Sequence, residues 1–105
     1  MSAIFDDRRK GFESKWARDA ELRFRVEARR NRMLGAWAAT EKGLMGAEAE
    51  SFAEGVIAAD MAEKGDEDVF RHLRAALDAG QYPDAVIRAK MAEYLDQAIA
   101  ETEQG

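Results

Sequence analysis

Three serines, two threonines and one histidine are the aliphatic hydroxyl and imidazole groups available for nucleophilic or acid–base chemistry in this chain, which has no cysteine. Turnover requires a nucleophile beside a base, a metal, or a cradle for a cofactor. His72 alone can complete neither a triad nor a metal site, so it is expected at the boundary of an apolar face. Gly43 and Gly46 frame a loop, but no Gly-Lys-Ser or Gly-Lys-Thr follows, so the loop cannot cradle phosphate. Asp66, Glu67 and Asp68 supply three successive carboxylates. The twelve-residue calcium-loop spacing is missing, and acids at the start of a helix suit its dipole, so they are read as capping residues. No catalytic residue, metal or cofactor is expected.

Binding chemistry is better represented. The run Arg23-Phe-Arg-Val-Glu-Ala-Arg-Arg-Asn-Arg32 interleaves arginine with an aromatic ring, as nucleic-acid surfaces do. Asp19, Glu21 and Glu27 interrupt it, and the chain as a whole carries a net charge of −5, so no nucleic acid is expected as partner. The charge is unevenly divided. Residues 1–42 hold 11 Lys and Arg against 7 Asp and Glu, giving plus four, while residues 43–105 hold 5 against 14, giving minus nine. A cationic leading helix on an acidic body can bind its own domain electrostatically or be offered to an acidic partner. On these residues alone the chain is a small regulatory or adaptor protein that presents an amphipathic helix to a groove. A basic-helix RNA-binding role, or a general adaptor role, is the alternative.

The elements that must carry this chemistry are helical. With 47% hydrophobic residues, one proline and no strand-like alternation, composition favours helix throughout one small domain. The longest pattern runs from Phe12 to Glu41, where Phe12, Trp16, Leu22, Val26, Met33, Leu34 and Trp37 fall within an arc of roughly 120°. Arg18, Arg25, Arg29 and Arg32 fall opposite. A single helix of that length spans roughly 45 Å, so one end is expected to overhang the body. Asp19–Arg23 and Glu21–Arg25 read as supporting pairs four apart. Arg23 and Arg30 lie inside the apolar arc, where their stems can pack while their guanidinium groups need an anionic partner or water; Asp60 is the candidate acid, a solvated Asp60 the alternative. Gly43 is expected to end the helix as a left-handed cap. A second helix spans 47–62 with Phe52, Ala53, Val56 and Ile57 facing in. The third runs from the Gly65 and Asp66 caps to Ala79, with Val69, Phe70, Leu73, Ala76 and Leu77 inward. The fourth begins near Pro83 and Asp84 and reaches Thr102, with Ile87, Met91, Tyr94, Leu95, Ala98 and Ile99 inward. The fold class is all-α: a small four-helix bundle with a long first helix.

Ahead of that helix, Ser2 is a plausible N-cap, and Ile4, Phe5, Arg8 and Phe12 can share a face with Trp16. Gly11 weakens helix there by roughly 1 kcal/mol. Residues 2 to about 16 are therefore expected to be partly disordered alone and to become helical on a partner, ordinary packing of Phe12 and Trp16 in the core being the alternative. The absence of cysteine, of a signal-peptide pattern and of any long apolar run leads to the expectation of a cytoplasmic monomer with no membrane insertion.

Several strings carry a further likeness. Phe5-Asp-Asp-Arg8, Arg18-Asp-Ala-Glu-Leu-Arg-Phe-Arg25, Glu27-Ala-Arg-Arg-Asn-Arg32, Leu34-Gly-Ala-Trp-Ala-Ala39 and Gly65-Asp-Glu-Asp-Val69 resemble the zeta subunit, the ATPase-inhibitor family of alphaproteobacterial F-type ATP synthases. The resemblance implies a four-helix protein at the head of the membrane-bound synthase. It implies partners in the alpha, beta and gamma subunits, and an N-terminal segment, residues 1–18, that wedges into their catalytic interface and blocks ATP hydrolysis and rotation. Residues 19–105 would form the helical domain. Carried onto this chain, the partner-binding residues are Ile4, Phe5, Arg8, Arg9, Phe12, Lys15 and Trp16, the apolar ones filling the groove and the basic ones meeting acidic surface. Trp16 and Arg18 stand where the family is associated with phenylalanine and histidine.

Overall fold

Each stretch of helical periodicity becomes a helix in the computed structural model, which describes residues 18–62 and 66–104, the side chains of residues 60–62 excepted. The helices are α1 (Ala20–Glu41), α2 (Gly46–Ala62), α3 (Glu67–Ala76) and α4 (Asp84–Gln104). No strand occurs among the described residues, and the all-α expectation holds.

The long first helix is shorter than its periodicity suggested. Asp19 has an extended backbone (φ −97°, ψ 110°), and its Oδ1 accepts from the amides of Glu21 at 3.0 Å and Leu22 at 3.1 Å. A short acidic side chain that bonds the following amides competes with helix continuation, and here it starts a new helix. Asp19 is thus an N-cap, where its spacing to Arg23 suggested an ion pair. The part of the pattern from Phe12 to Ala17 lies outside the described residues.

At its other end α1 closes as expected. Gly43 takes φ 74°, its amide donates to the Thr40 carbonyl at 3.0 Å, and the Leu44 amide donates to Ala39 at 2.9 Å. Those two bonds form the Schellman arrangement, which needs a left-handed residue at Gly43. The chain then reverses into α2. Where α1 and α2 cross, a Cβ placed on Gly35 would lie 2.7 Å from the Ala53 Cα, so the two backbones touch with no side chain between them.

One core cluster gathers Leu34 and Ala38 of α1, Val56 of α2, Val69 and Leu73 of α3, Leu77 beyond it, and Ile87 and Met91 of α4. Trp37, Phe52, Phe70, Tyr82 and Tyr94 pack around them. A second cluster joins Val26 to Ala98 and Ile99, with Met33 and Leu95 beside it. The early residue of α1 meets late residues of α4, and the later Leu34 meets the earlier Ile87 and Met91, so these helices run antiparallel. All six inward positions expected on α4 are buried or half-buried.

Helix α3 ends at Ala76, three residues before the expected Ala79. Leu77 turns extended (φ −110°, ψ 141°) while remaining buried. Arg74 holds the bend by donating to the Leu77 carbonyl at 2.9 Å and to Asp84 at 2.8 Å. The Asp78 carboxylate accepts from the Gln81 amide at 3.0 Å and fixes a turn where helix was expected.

Candidate functional site

The expected partner-binding residues, Ile4, Phe5, Arg8, Arg9, Phe12, Lys15 and Trp16, lie outside the described residues. The described part of the site is the platform they lead into, the first turns of α1. From Ala20 to Arg25 no side chain is fully buried, and Val26 is the first that is. The leading end of α1 therefore stands ahead of the core. It is kept helical locally by the Asp19 cap and by Arg25 donating to Glu21 at 3.0 Å.

Two chemically different edges run along this exposed end. On one, Arg25 and Arg32 are exposed, and Arg29 reaches across to Glu101 of α4 at 3.6 Å. On the other, Phe24 is 60% exposed. Phe24 is not among the candidate binding residues read from the sequence. The signal was available, because Phe24 lies about 160° from Leu22 on the helical wheel, outside the apolar arc.

The two arginines of the apolar arc divide. Arg23 is exposed to water. Arg30 is 1% exposed. Its Nη1 donates to Asp66 at 2.7 Å, and its Nε to the side-chain oxygen of Asn31, also 1% exposed, at 3.1 Å. Asp66 supplies the carboxylate for which Asp60 was the candidate, and the Asp60 side chain lies outside the description. Asp66 does occupy the N-cap position of α3, but its side chain makes no capping bond, because it is committed to Arg30. This interaction orients α1 against the start of α3.

Its neighbours in the acidic run are committed similarly. Asp68 pairs with Arg71 on the same helix. Glu67 accepts from both terminal nitrogens of Arg88 at 2.9 and 3.0 Å, while the Arg88 guanidinium lies 3.7 Å from the Phe70 ring centroid. The run thus opens α3 as expected, with Asp66 at the N-cap position and Glu67 and Asp68 in the first turn, and each of the three carboxylates also holds an arginine. No group of three potential metal ligands is found among the described residues. Hydrogen bonding from Arg88, opposed in part by desolvation, holds the Glu67 carboxyl below its ordinary value near 4.5. A carboxyl depressed by folding stabilises the fold above the unfolded pKa, and that contribution is lost as pH falls through the folded pKa. Glu67→Gln is therefore expected to lower the thermal midpoint slightly at pH 7. The gap to wild type should close below about pH 4, as followed by circular dichroism melts across pH 3 to 7.

Elsewhere, His72 occupies the boundary position expected of it, half-buried with its ring 5.7 Å from that of Phe52. Both line a groove of about 500 Å³ between α2 and α3, with Leu44, Gly55 and Ala76. On another face Trp37 and Tyr82 meet edge to face at 5.9 Å. Burial, followed by the neighbouring Glu41, raises the Tyr82 phenol above its usual value.

This leaves a helical body whose acids hold its arginines together, with a helix end projecting from it and no assembled catalytic group among the described residues. The family model of ATPase inhibitor subunit zeta matches residues 1–101. The chain belongs to that family. Comparison with curated proteins and with solved structures finds no match. The family description gives this zeta-family chain a regulatory, inhibitory role toward the ATP synthase. No helix among the described residues is long and apolar enough to cross a membrane.

Proposed function

We propose that the chain restrains ATP hydrolysis by an F-type ATP synthase by inserting residues 1–18 into a catalytic interface formed by the alpha, beta and gamma subunits. There the segment acts as a wedge against rotation in the hydrolytic direction. The observation that carries this reading is the extent of the family match, which begins at residue 1 and so takes in the amphipathic leader together with the helices. Ile4, Phe5, Phe12 and Trp16 would fill the apolar groove, and Arg8, Arg9 and Lys15 would meet acidic subunit surface. Residues 19–105 are the carrier, which α1 connects directly to the wedge. The segment becomes helical as it binds, at an ordering cost that favours a reversible inhibitor. The chain itself turns nothing over, needs no cofactor, and acts as a cytoplasmic monomer at the synthase head.

The arginine run does not favour the RNA-binding alternative. Arg30 is buried on Asp66 and Arg29 reaches Glu101, and Asp19, Glu21 and Glu27 interrupt the run, so it presents no continuous cationic surface to a phosphate backbone.

The test adds full-length protein, or a version lacking residues 2–17, to purified synthase from the same cell. Full-length protein is expected to depress ATPase activity, while the truncated protein, which keeps the Asp19 cap and the described core, leaves it unchanged. Equal rates with both proteins would reject the wedge.

A further inference from the structure

We propose that the synthase contact continues beyond residue 18 onto the folded surface. In this reading, which rests on the wedge above, the Phe24 ring and the neighbouring Arg25–Arg32 edge of α1 form a preformed anchor for an acidic protein surface bearing an apolar notch. The first observation is the ring itself. Phe24 lies about 20° from both Asn31 and Gly35 on the helical wheel, so it shares the face that is buried at those two positions. Asn31 and Gly35 are buried, and Gly35 touches the α2 backbone, whereas Phe24 is 60% exposed. Phenylalanine and arginine are both enriched in the cores of protein interfaces relative to the rest of the surface.

Charge supplies the second observation. Arg25 and Arg32 are seven apart on one side of α1, both exposed, about 80–100° around the helix from Phe24. The two edges can therefore engage one surface together. The acidic remainder of the chain would repel such a partner and leave this end of α1 as the favourable approach.

Chain continuity selects the occupant. Phe24 lies six residues after Arg18, where the proposed wedge ends, so any surface that receives the wedge is within reach of the first two turns of α1. The two contacts differ in energetic character. The α1 patch is already helical and braced by Asp19 and Glu21, so docking it orders no backbone. Once it has docked, insertion of the leader is an intramolecular step at high effective concentration. The anchor thus supplies affinity, and the wedge supplies the block.

The test measures the half-inhibiting concentration of full-length protein on purified synthase for wild type, Phe24→Ser and Arg32→Glu, with thermal melts and light-scattering mass for each. Phe24→Ser is expected to raise that concentration about tenfold with an unchanged melt. Arg32→Glu should raise it by a factor that shrinks as salt is added. The protein lacking residues 2–17 should still bind the synthase and compete with full-length inhibitor without inhibiting by itself. If wild type inhibits and both substitutions leave the half-inhibiting concentration unchanged, the anchor is overturned and the wedge stands. If wild type neither binds nor inhibits, the wedge fails and the anchor with it. A dimer of wild type that Phe24→Ser dissolves, with inhibition unaltered, assigns the patch to a second copy and also overturns the proposal.

Discussion

Gly35→Leu is expected to destabilise the fold by about 3 kcal/mol or more, the upper part of the range for overpacked cores. Even a Cβ there would lie 2.7 Å from the Ala53 Cα and 2.8 Å from its Cβ. The nearer atom is backbone, so a rotamer change cannot relieve the clash, and α1 and α2 must separate. Separation would loosen Leu34, Ala38 and Val56, all fully buried in the same core cluster. Gly35→Ala makes the case sharper. Alanine is favoured over glycine within a helix by about 1 kcal/mol, so a surface glycine would gain stability from this change. Here the contact should outweigh propensity and leave a net loss of about 1–2 kcal/mol. For a domain of this size each kcal/mol moves the thermal midpoint by roughly 4–8 °C. A midpoint raised by Gly35→Ala would show that the helices are not in backbone contact.

Asp66→Ala is expected to cost about 2–3 kcal/mol, while Arg30→Met costs less than about 1, an asymmetry set by burial. The Arg30 side chain is 1% exposed and the Asp66 side chain 48% exposed, at an N–O distance of 2.7 Å. Removing Asp66 takes the carboxylate from a guanidinium that remains buried. Removing Arg30 returns Asp66 to water, which can solvate it, and methionine recovers much of the packing volume. Chemical denaturation of both variants and of the double variant checks this. If the double variant is as stable as Arg30→Met alone, the cost of Asp66→Ala came from the stranded cation. Equal costs for the two single variants would refute the explanation.

How much of this was legible in sequence depended on the range of the interaction. Helical periodicity located all four described helices, and Gly43 announced its turn, because both are settled by neighbours a few residues apart. The inward face of α4 was readable for the same reason. The errors came where one side chain had two uses. Asp19 suits both an ion pair with Arg23 and a cap, and only backbone geometry decides between them. Asp66 suits both a cap and an ion pair, and its partner lies 36 residues earlier in the chain. Leu77 fits the helical pattern of α3, yet Asp78 and Arg74 draw the chain out of helix just there. Of the site, the sequence disclosed the cationic edge of α1, which periodicity separates from the apolar one. The same wheel sets Phe24 outside the apolar arc, but Asn31 and Gly35 share its side and are buried, so which of the three stays outside depends on how far the other helices extend.

The bond made by Asp19 has a bearing on how changes travel along the chain. In an unbroken helix the amides of Glu21 and Leu22 would bond the carbonyls of residues 17 and 18, and both amides are instead taken by the Asp19 side chain. Helix formation spreads cooperatively because each new rung builds on the previous one, and two rungs are diverted here. Helical cooperativity is thus interrupted in the backbone at Asp19, where these two rungs are missing from the ladder. Such a joint also lets the leader change its sequence, and with it its target, at no expense to the fold that carries it.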